Sequence, residues 1–384
     1  MTSVGTAPAI PLFDLRLDPS DLAAVEQTLR SGWLTMGPRV EAFEAEFAAH
    51  LGARHALCVS SCTAALHLAY LAAGVGPGDE VIVPSITFAA TANAALYCGA
   101  TPVFADIVGP HDPGIDPEHV AALIGPRTKA VCAVHFAGYP AAVDVLAPLC
   151  ARHGIALIED VAHAPSATLD GRRLGTFGLA GAFSFFSNKI LSCGEGGLVC
   201  TDDDRVAELA RRLRSQGMTS GTWSRHNGAT DTYDASGLGF NYRLDEPRAA
   251  LLHSRFARLA DDIAHRRRIV HRYRILLSGV DGLIVPYRDS DIATSSCYVM
   301  PVLVADPSRQ GPLRRFLRAE RSVQTSLFYP AVHEFSAFEA RLGAQSLPRS
   351  QRWARSELTI PLYPHLTEAE QDRVVEAIAE GLRR

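Results

Sequence analysis

The stretch AVCAVHFAGYPAAVDVLAPLCARHGIALIEDVAH, running from Ala130 to His163, decides the fold class. Its first part, Ala130–Val134, is apolar without interruption, the pattern of a strand buried on both faces. Val143–His153 follows with helical spacing, Gly154 closes it, and a second apolar strand covers Ile155–Glu159. Strand, helix and strand in that order form a βαβ unit, which requires parallel strands and a covering helix.

The same alternation extends on both sides. Further strands are predicted over His55–Val59, Glu80–Val83, Thr101–Asp106, Gly181–Phe186 and Gly197–Thr201. Helices are predicted over Thr63–Ala73, Ala89–Cys98, Pro117–Ile124 and Asp203–Arg214. The fold class is therefore α/β, with a mostly parallel sheet flanked by helices. Val81–Ala105 carries no charge, but Pro84, Asn93, Gly99 and Pro102 break it. It reads as strand, loop, helix and strand in a globular core, not as a membrane span. Gly217–Gly239 is a polar loop that holds Trp223 and Tyr233. Asp245–Leu277 reads as one long, Arg-rich helix, and the remainder as a smaller C-terminal domain ending in a helix at Glu368–Leu382. The predicted division is 1–255 for the large domain and 256–384 for the small one. Arg211, Arg212 and Arg214 read as a solvated helix face.

The 384 residues are 47% hydrophobic and 20% charged, with a formal net charge of −4. That balance excludes a disordered chain and argues against a nucleic-acid partner. Met1–Ile10 lacks the basic and apolar regions of a leader, so a cytoplasmic protein without a membrane partner is expected. The eight cysteines form no CxxC pair, which fits free thiols in a reducing compartment and no metal site.

Ligands of open parallel sheets bind at the carboxyl ends of the strands. Three spots there are chemically unusual. Ser60-Ser61-Cys62-Thr63 starts a helix, and either caps it or seats a phosphate on its free N–H groups. Ile158-Glu159-Asp160-Val161-Ala162-His163 ends a strand in two carboxylates that alternation sends to opposite faces. Asp160 is then either an exposed capping residue or a buried acid that holds a positive charge, such as a protonated pyridine nitrogen. Lys189 is the one charge between Arg173 and Glu195. It either snorkels to solvent or is desolvated into an amine nucleophile that forms Schiff bases.

Together with Pro84-Ser85-Ile86-Thr87-Phe88, Gly194-Glu195-Gly196-Gly197 and Gly239-Phe240-Asn241-Tyr242-Arg243, these motifs resemble the DegT/DnrJ/EryC1/StrS family of sugar aminotransferases. The resemblance runs from Gly32-Trp33 to Tyr363-Pro364. It implies the type I fold of pyridoxal-phosphate (PLP) enzymes, with a seven-stranded sheet and a smaller C-terminal α+β domain. It implies that Lys189 holds PLP as a Schiff base and that Asp160 pairs with the pyridine nitrogen. By the same resemblance Phe88 stacks on the ring, and His163 lies near its phenolic oxygen. Cys62, Thr63 and Ser184 would bind the phosphate, and Asn241 would reach it from the second subunit of a homodimer. Cys62 stands where a small Gly is common, and Phe186 where a His is frequent. The implied reaction moves an amino group from glutamate or glutamine to a keto-sugar, more readily a nucleotide-linked one. A cyclitol ketone, another PLP reaction or a PLP-binding regulator are the alternatives. Trp223, Arg225, Tyr329 and His333 are the candidate substrate residues.

Overall fold

The computed structural model describes residues 10–384. The opening segment read above for the lack of a leader pattern, Ile10 apart, lies outside the described residues. Seven strands form the central sheet: β1 (His55–Val59), β2 (Glu80–Pro84), β3 (Thr101–Ala105), β4 (Thr128–Val134), β5 (Ala156–Asp160), β6 (Ala180–Ser184) and β7 (Gly197–Thr201). Their order is β1-β7-β6-β5-β4-β2-β3. β7 runs antiparallel to both neighbours, and all the other pairs are parallel. Each predicted strand is present, with ends shifted by at most two residues.

Burial on both faces explains the composition of these strands. The apolar residues of β4 and β5 divide between two core clusters, one on each side of the sheet. Val131 and Ala133 face one cluster, while Ala130 and Cys132 face the other. The uncharged stretch resolves as β2, a helix at Ala90–Tyr97, and β3. No helix among the described residues is long and apolar enough to cross a membrane. All eight cysteines are free, and every one except Cys62 is fully buried.

Beyond the sheet, β8 (Leu283–Ile284), β9 (Met300–Val304) and β10 (Glu357–Ile360) form a small antiparallel sheet. Its core includes Val302, Leu313, Ile360 and Ile378.

Two expectations are corrected. The long helix is two helices, Glu246–Phe256 and Leu259–Leu277. The break falls at Arg258, at φ −105° and ψ 0°. Its guanidinium turns away to Asp21 at 2.7 Å and Asp18 at 3.0 Å. Asp261 and Asp262 then occupy the first turn of the second helix, where the dipole favours acids. Arg214 is not on a solvated face: it is buried, ion-paired with Glu44, and donates to the Cys58 carbonyl at 2.8 Å. Glu44 also accepts the Cys58 N–H at 2.7 Å. The partner acid lies on another helix, so helical spacing alone carried no sign of the pair.

Candidate active site

The carboxyl ends of β1, β2, β5 and β6 and the start of β7 share one edge of the sheet. Val59 and Ser184 both pair with Gly197, which fixes that edge. A cavity of about 480 Å³ opens there. Its walls bring together Cys62, Thr63, Phe88, Asp160, His163, Ser184, Lys189 and Tyr329.

The helix Cys62–Ala72 starts at the cavity. Ser61 caps it, its hydroxyl accepting the Ala64 N–H at 3.1 Å. Capping does not exclude lining the cavity: Ser61 does both, and Cys62 and Thr63 in the first turn line it. Gly197 allows the close approach of the two chains. A Cβ on it would lie 2.3 Å from the Ser61 carbonyl carbon and 2.6 Å from the Cys62 nitrogen.

Asp160 is buried at the end of β5. Among the described residues its oxygens meet neutral donors: the Thr91 hydroxyl at 2.9 Å, the Ala162 N–H at 3.1 Å and the Cys62 thiol at 3.9 Å. Burial pushes its carboxyl above the usual range, against the hydrogen bonds from Thr91 and Ala162 and the weaker pull of Lys189, with which it makes no direct ion pair. Glu159 points to the other face as alternation requires. It is fully buried, 3.0 Å from His135, and accepts the N–H groups of Gly175, Phe177 and Gly178.

Lys189 lies beyond β6 with its Nζ 4.3 Å from the centroid of the Tyr298 ring. Burial lowers its pKa to about 8, against the pull of Asp160 and Cys62. The neutral, nucleophilic share of the amine near physiological pH is then far above that of an ordinary lysine.

His163 packs on Tyr298 with ring centroids 4.4 Å apart. Its Nδ1 accepts the Ala137 N–H at 3.3 Å, which assigns the ring proton to Nε2. Nε2–H then donates to the Tyr329 hydroxyl at 2.9 Å, and that hydroxyl keeps its own proton to offer. Burial, with Lys189 beside it, holds the His163 pKa well below the usual value, so the imidazole is neutral. Phe88 stands at the cavity and is 63% exposed.

Four sequence candidates are not in this cavity. His333 is buried; its Nδ1 bonds Ser85 at 2.6 Å. It is a core histidine behind β2, not a cavity residue. Trp223 packs edge-on against Trp33 at 4.9 Å and lines a separate surface pocket with His226 and Arg39. Arg225 is satisfied locally, donating to the Ser220 carbonyl at 2.7 Å and lying 4.4 Å from the Tyr233 ring centroid. Asn241 is exposed and off the cavity of its own chain.

Sequence reasoning missed Tyr298 and Thr91. Tyr298 leads into the apolar strand β9 and carries no local mark of function. Thr91 lies in the segment that follows β2, but only the fold shows that it meets Asp160.

The profile of the DegT/DnrJ/EryC1/StrS aminotransferase family matches residues 16–379. The dTDP-3-amino-3,4,6-trideoxy-alpha-D-glucose transaminase of Streptomyces venezuelae is 38% identical over 394 aligned positions, covering 100% of this chain and 99% of that protein. The spore coat polysaccharide biosynthesis protein SpsC of Bacillus subtilis (strain 168) is 38% identical over 368 positions, 94% of each chain. The crystal structure of the aminotransferase TlmJ from Streptoalloteichus hindustanus superposes with a TM-score of 0.90 at 38% identity, covering 97% of this chain and 99% of that one.

Proposed function

The chain belongs to the DegT/DnrJ/EryC1/StrS aminotransferase family and is a PLP-dependent aminotransferase, and from that premise we propose that it transfers an amino group from glutamate or glutamine to the ketone of a nucleotide-linked sugar. The transaminase of Streptomyces venezuelae, named for a dTDP-linked amino sugar, supports the acceptor class.

The residues of the cavity fit the cofactor. A buried carboxylate whose direct hydrogen-bond donors are neutral can seat a cation, and a protonated pyridine nitrogen is one. This is the observation that carries the proposal. PLP, when bound, supplies an electron-withdrawing ring and an aldehyde carbon that exchanges the amine. Asp160 would keep the ring nitrogen charged. Lys189 would bind the aldehyde covalently and, once displaced by the donor, carry the proton at its Nζ. The start of the Cys62–Ala72 helix, with Thr63 and Ser184, would hold the phosphate. Phe88 would cover the ring, and neutral His163 would offer a hydrogen bond without adding charge.

We read the enzyme as a cytoplasmic homodimer. Free cysteines support the compartment. Asn241, exposed and not among the residues lining its own cavity, supports a role in the partner's phosphate seat. A division at residues 255/256 would make Tyr298 and Tyr329 the contribution of the C-terminal domain to the site. Trp223 and Arg225, displaced from their own cavity, are kept as substrate residues only on the surface that a second subunit would meet.

The test is to charge the enzyme with amine from glutamate and present nucleotide-linked keto-sugars, free keto-sugars and keto-cyclitols. Amination of a nucleotide-linked sugar is expected, with Arg225→Ala raising its KM. Exclusive use of a free cyclitol ketone would replace the acceptor class. Return of no amine to any ketone would remove the proposal.

A further inference from the structure

A second cavity, of about 470 Å³, lies on the other side of Asn188 and Lys189, which line both. Its walls come from the segment Phe13–Asp18, the two helices that meet at Arg258, and Pro364-His365. Two arginines on this wall, Arg255 and Arg266, are at least nine-tenths buried. Neither has a carboxylate partner among the described residues. Arg255 donates to the carbonyls of Arg16 and Ile190, each at 3.3 Å. Arg266 donates to those of Tyr298 at 3.1 Å and Leu362 at 3.3 Å. The Nε of each is buried with no partner.

The acids nearby do not cancel these charges. Asp14 is engaged by Arg16 and His365, Asp18 by Arg258, and Asp21, which draws on Arg255 from a distance, by Arg258 and Ser254. Asp262 remains, and burial pushes its carboxyl up, toward the neutral form. Buried guanidinium charges are costly unless an anion pairs with them, and the planar guanidinium suits a carboxylate. The Arg255 guanidinium holds the carbonyl of Ile190, the residue next to Lys189, and Arg255 and Lys189 line the same cavity, so an anion held by Arg255 shares that cavity with the lysine.

We propose that this cavity is the donor subsite, in which Arg255, supported by Arg266, receives the side-chain carboxylate of an acidic amino acid. The proposal rests on the aminotransferase reading above and chooses glutamate over glutamine. The carboxylate next to the reacting carbon stays with the Asp160 cavity. The distal one reaches past Asn188 and Lys189.

Glutarate, a dicarboxylate without an amine, is the probe. Calorimetry on the holoenzyme should show glutarate binding that Arg255→Gln weakens about 10- to 100-fold, the loss of one charged hydrogen-bonded contact. Arg255→Lys should restore part of it. In the donor half-reaction, followed by the cofactor's absorbance, Arg255→Gln should lower the preference for glutamate over alanine by a similar factor. Wild-type glutarate binding that Arg255→Gln leaves intact would overturn the proposal. Should that variant not fold, the wild type still decides: glutarate must compete with glutamate and propionate must compete far less, and equal competition would overturn it. Glutarate binding with a working donor half-reaction but no aminated ketone would instead count against the acceptor reading alone.

Discussion

The Thr91 hydroxyl stands 2.9 Å from the Asp160 carboxylate, and it bonds the Thr87 hydroxyl at 2.8 Å as well. Asp160 ends β5, while both threonines follow β2, so a chain of neutral hydroxyls crosses the edge of the sheet beneath the cavity. Hydroxyls orient a carboxylate without neutralising it. That leaves Asp160 charged only at a cost, which a bound cation would repay.

Asp160→Asn should therefore separate stability from turnover. Without cofactor, the wild-type carboxyl has a raised pKa, so stability falls as pH rises from its ordinary range through the shifted value. The amide removes that loss, and the Tm of the cofactor-free variant at neutral pH should be equal or higher. Turnover should fall by about 10²- to 10³-fold, the scale of a lost electrostatic partner. A lowered Tm with normal turnover would reject the assignment.

Lys189 should be the point of cofactor attachment. The chain has one other lysine, Lys129, which is exposed on β4. Borohydride reduction and peptide mapping should find the label on Lys189 alone. The rate of covalent loading should rise with pH and level off above about 8, because the amine reacts as its free base. A midpoint above 10 would mean that the amine is not desolvated.

Asn241 should act across a subunit boundary. Lys189→Ala chains and Asn241→Asp chains are each expected to be inactive. Mixed after partial unfolding and refolding, they should regain some activity, since a heterodimer rebuilds one wild-type site. Mixtures as inactive as their parents, in dimers shown to exchange, would place Asn241 outside the partner's site.

Glu357 should make the small sheet sensitive to pH. It is fully buried, accepts the Phe328 N–H at 2.7 Å, and is pushed up to about 8 by desolvation. Between its ordinary value of 4.5 and about 8 the folded chain holds a proton that the unfolded chain has lost, so stability falls as pH rises through that window. Glu357→Gln should flatten the fall. Parallel Tm–pH curves for the two proteins would show that Glu357 titrates normally.

The buried pair of Arg214 and Glu44 should be costly to halve. Arg214→Leu leaves Glu44 uncompensated and is expected to cost about 3–5 kcal/mol in urea unfolding. The double variant Arg214→Leu/Glu44→Leu should recover much of that. An additive double variant would mean that the two charges do not interact.

Much of this protein is legible along the chain. Parallel strands buried on both faces must be apolar throughout, so β4 and β5 mark themselves. A helix start after a strand must expose N–H groups, so Ser61-Cys62-Thr63 marks a cap or a candidate seat for an anion. A solitary lysine among glycines and aromatics marks Lys189. These are local demands of backbone, burial and period, and the sequence by itself determined them. The tertiary structure decided whatever depends on distance between remote segments. It set Tyr298 under the Lys189 amine, gave Asp160 the Thr91 hydroxyl in place of a direct ion pair, and buried Arg214 against Glu44. It turned His333 into the core, and left Arg255 and Arg266 without an acid beside Lys189. Each of these is a pairwise relation whose energy comes from desolvation and partner geometry, and no periodicity within a segment records which side chain will face it from elsewhere in the fold.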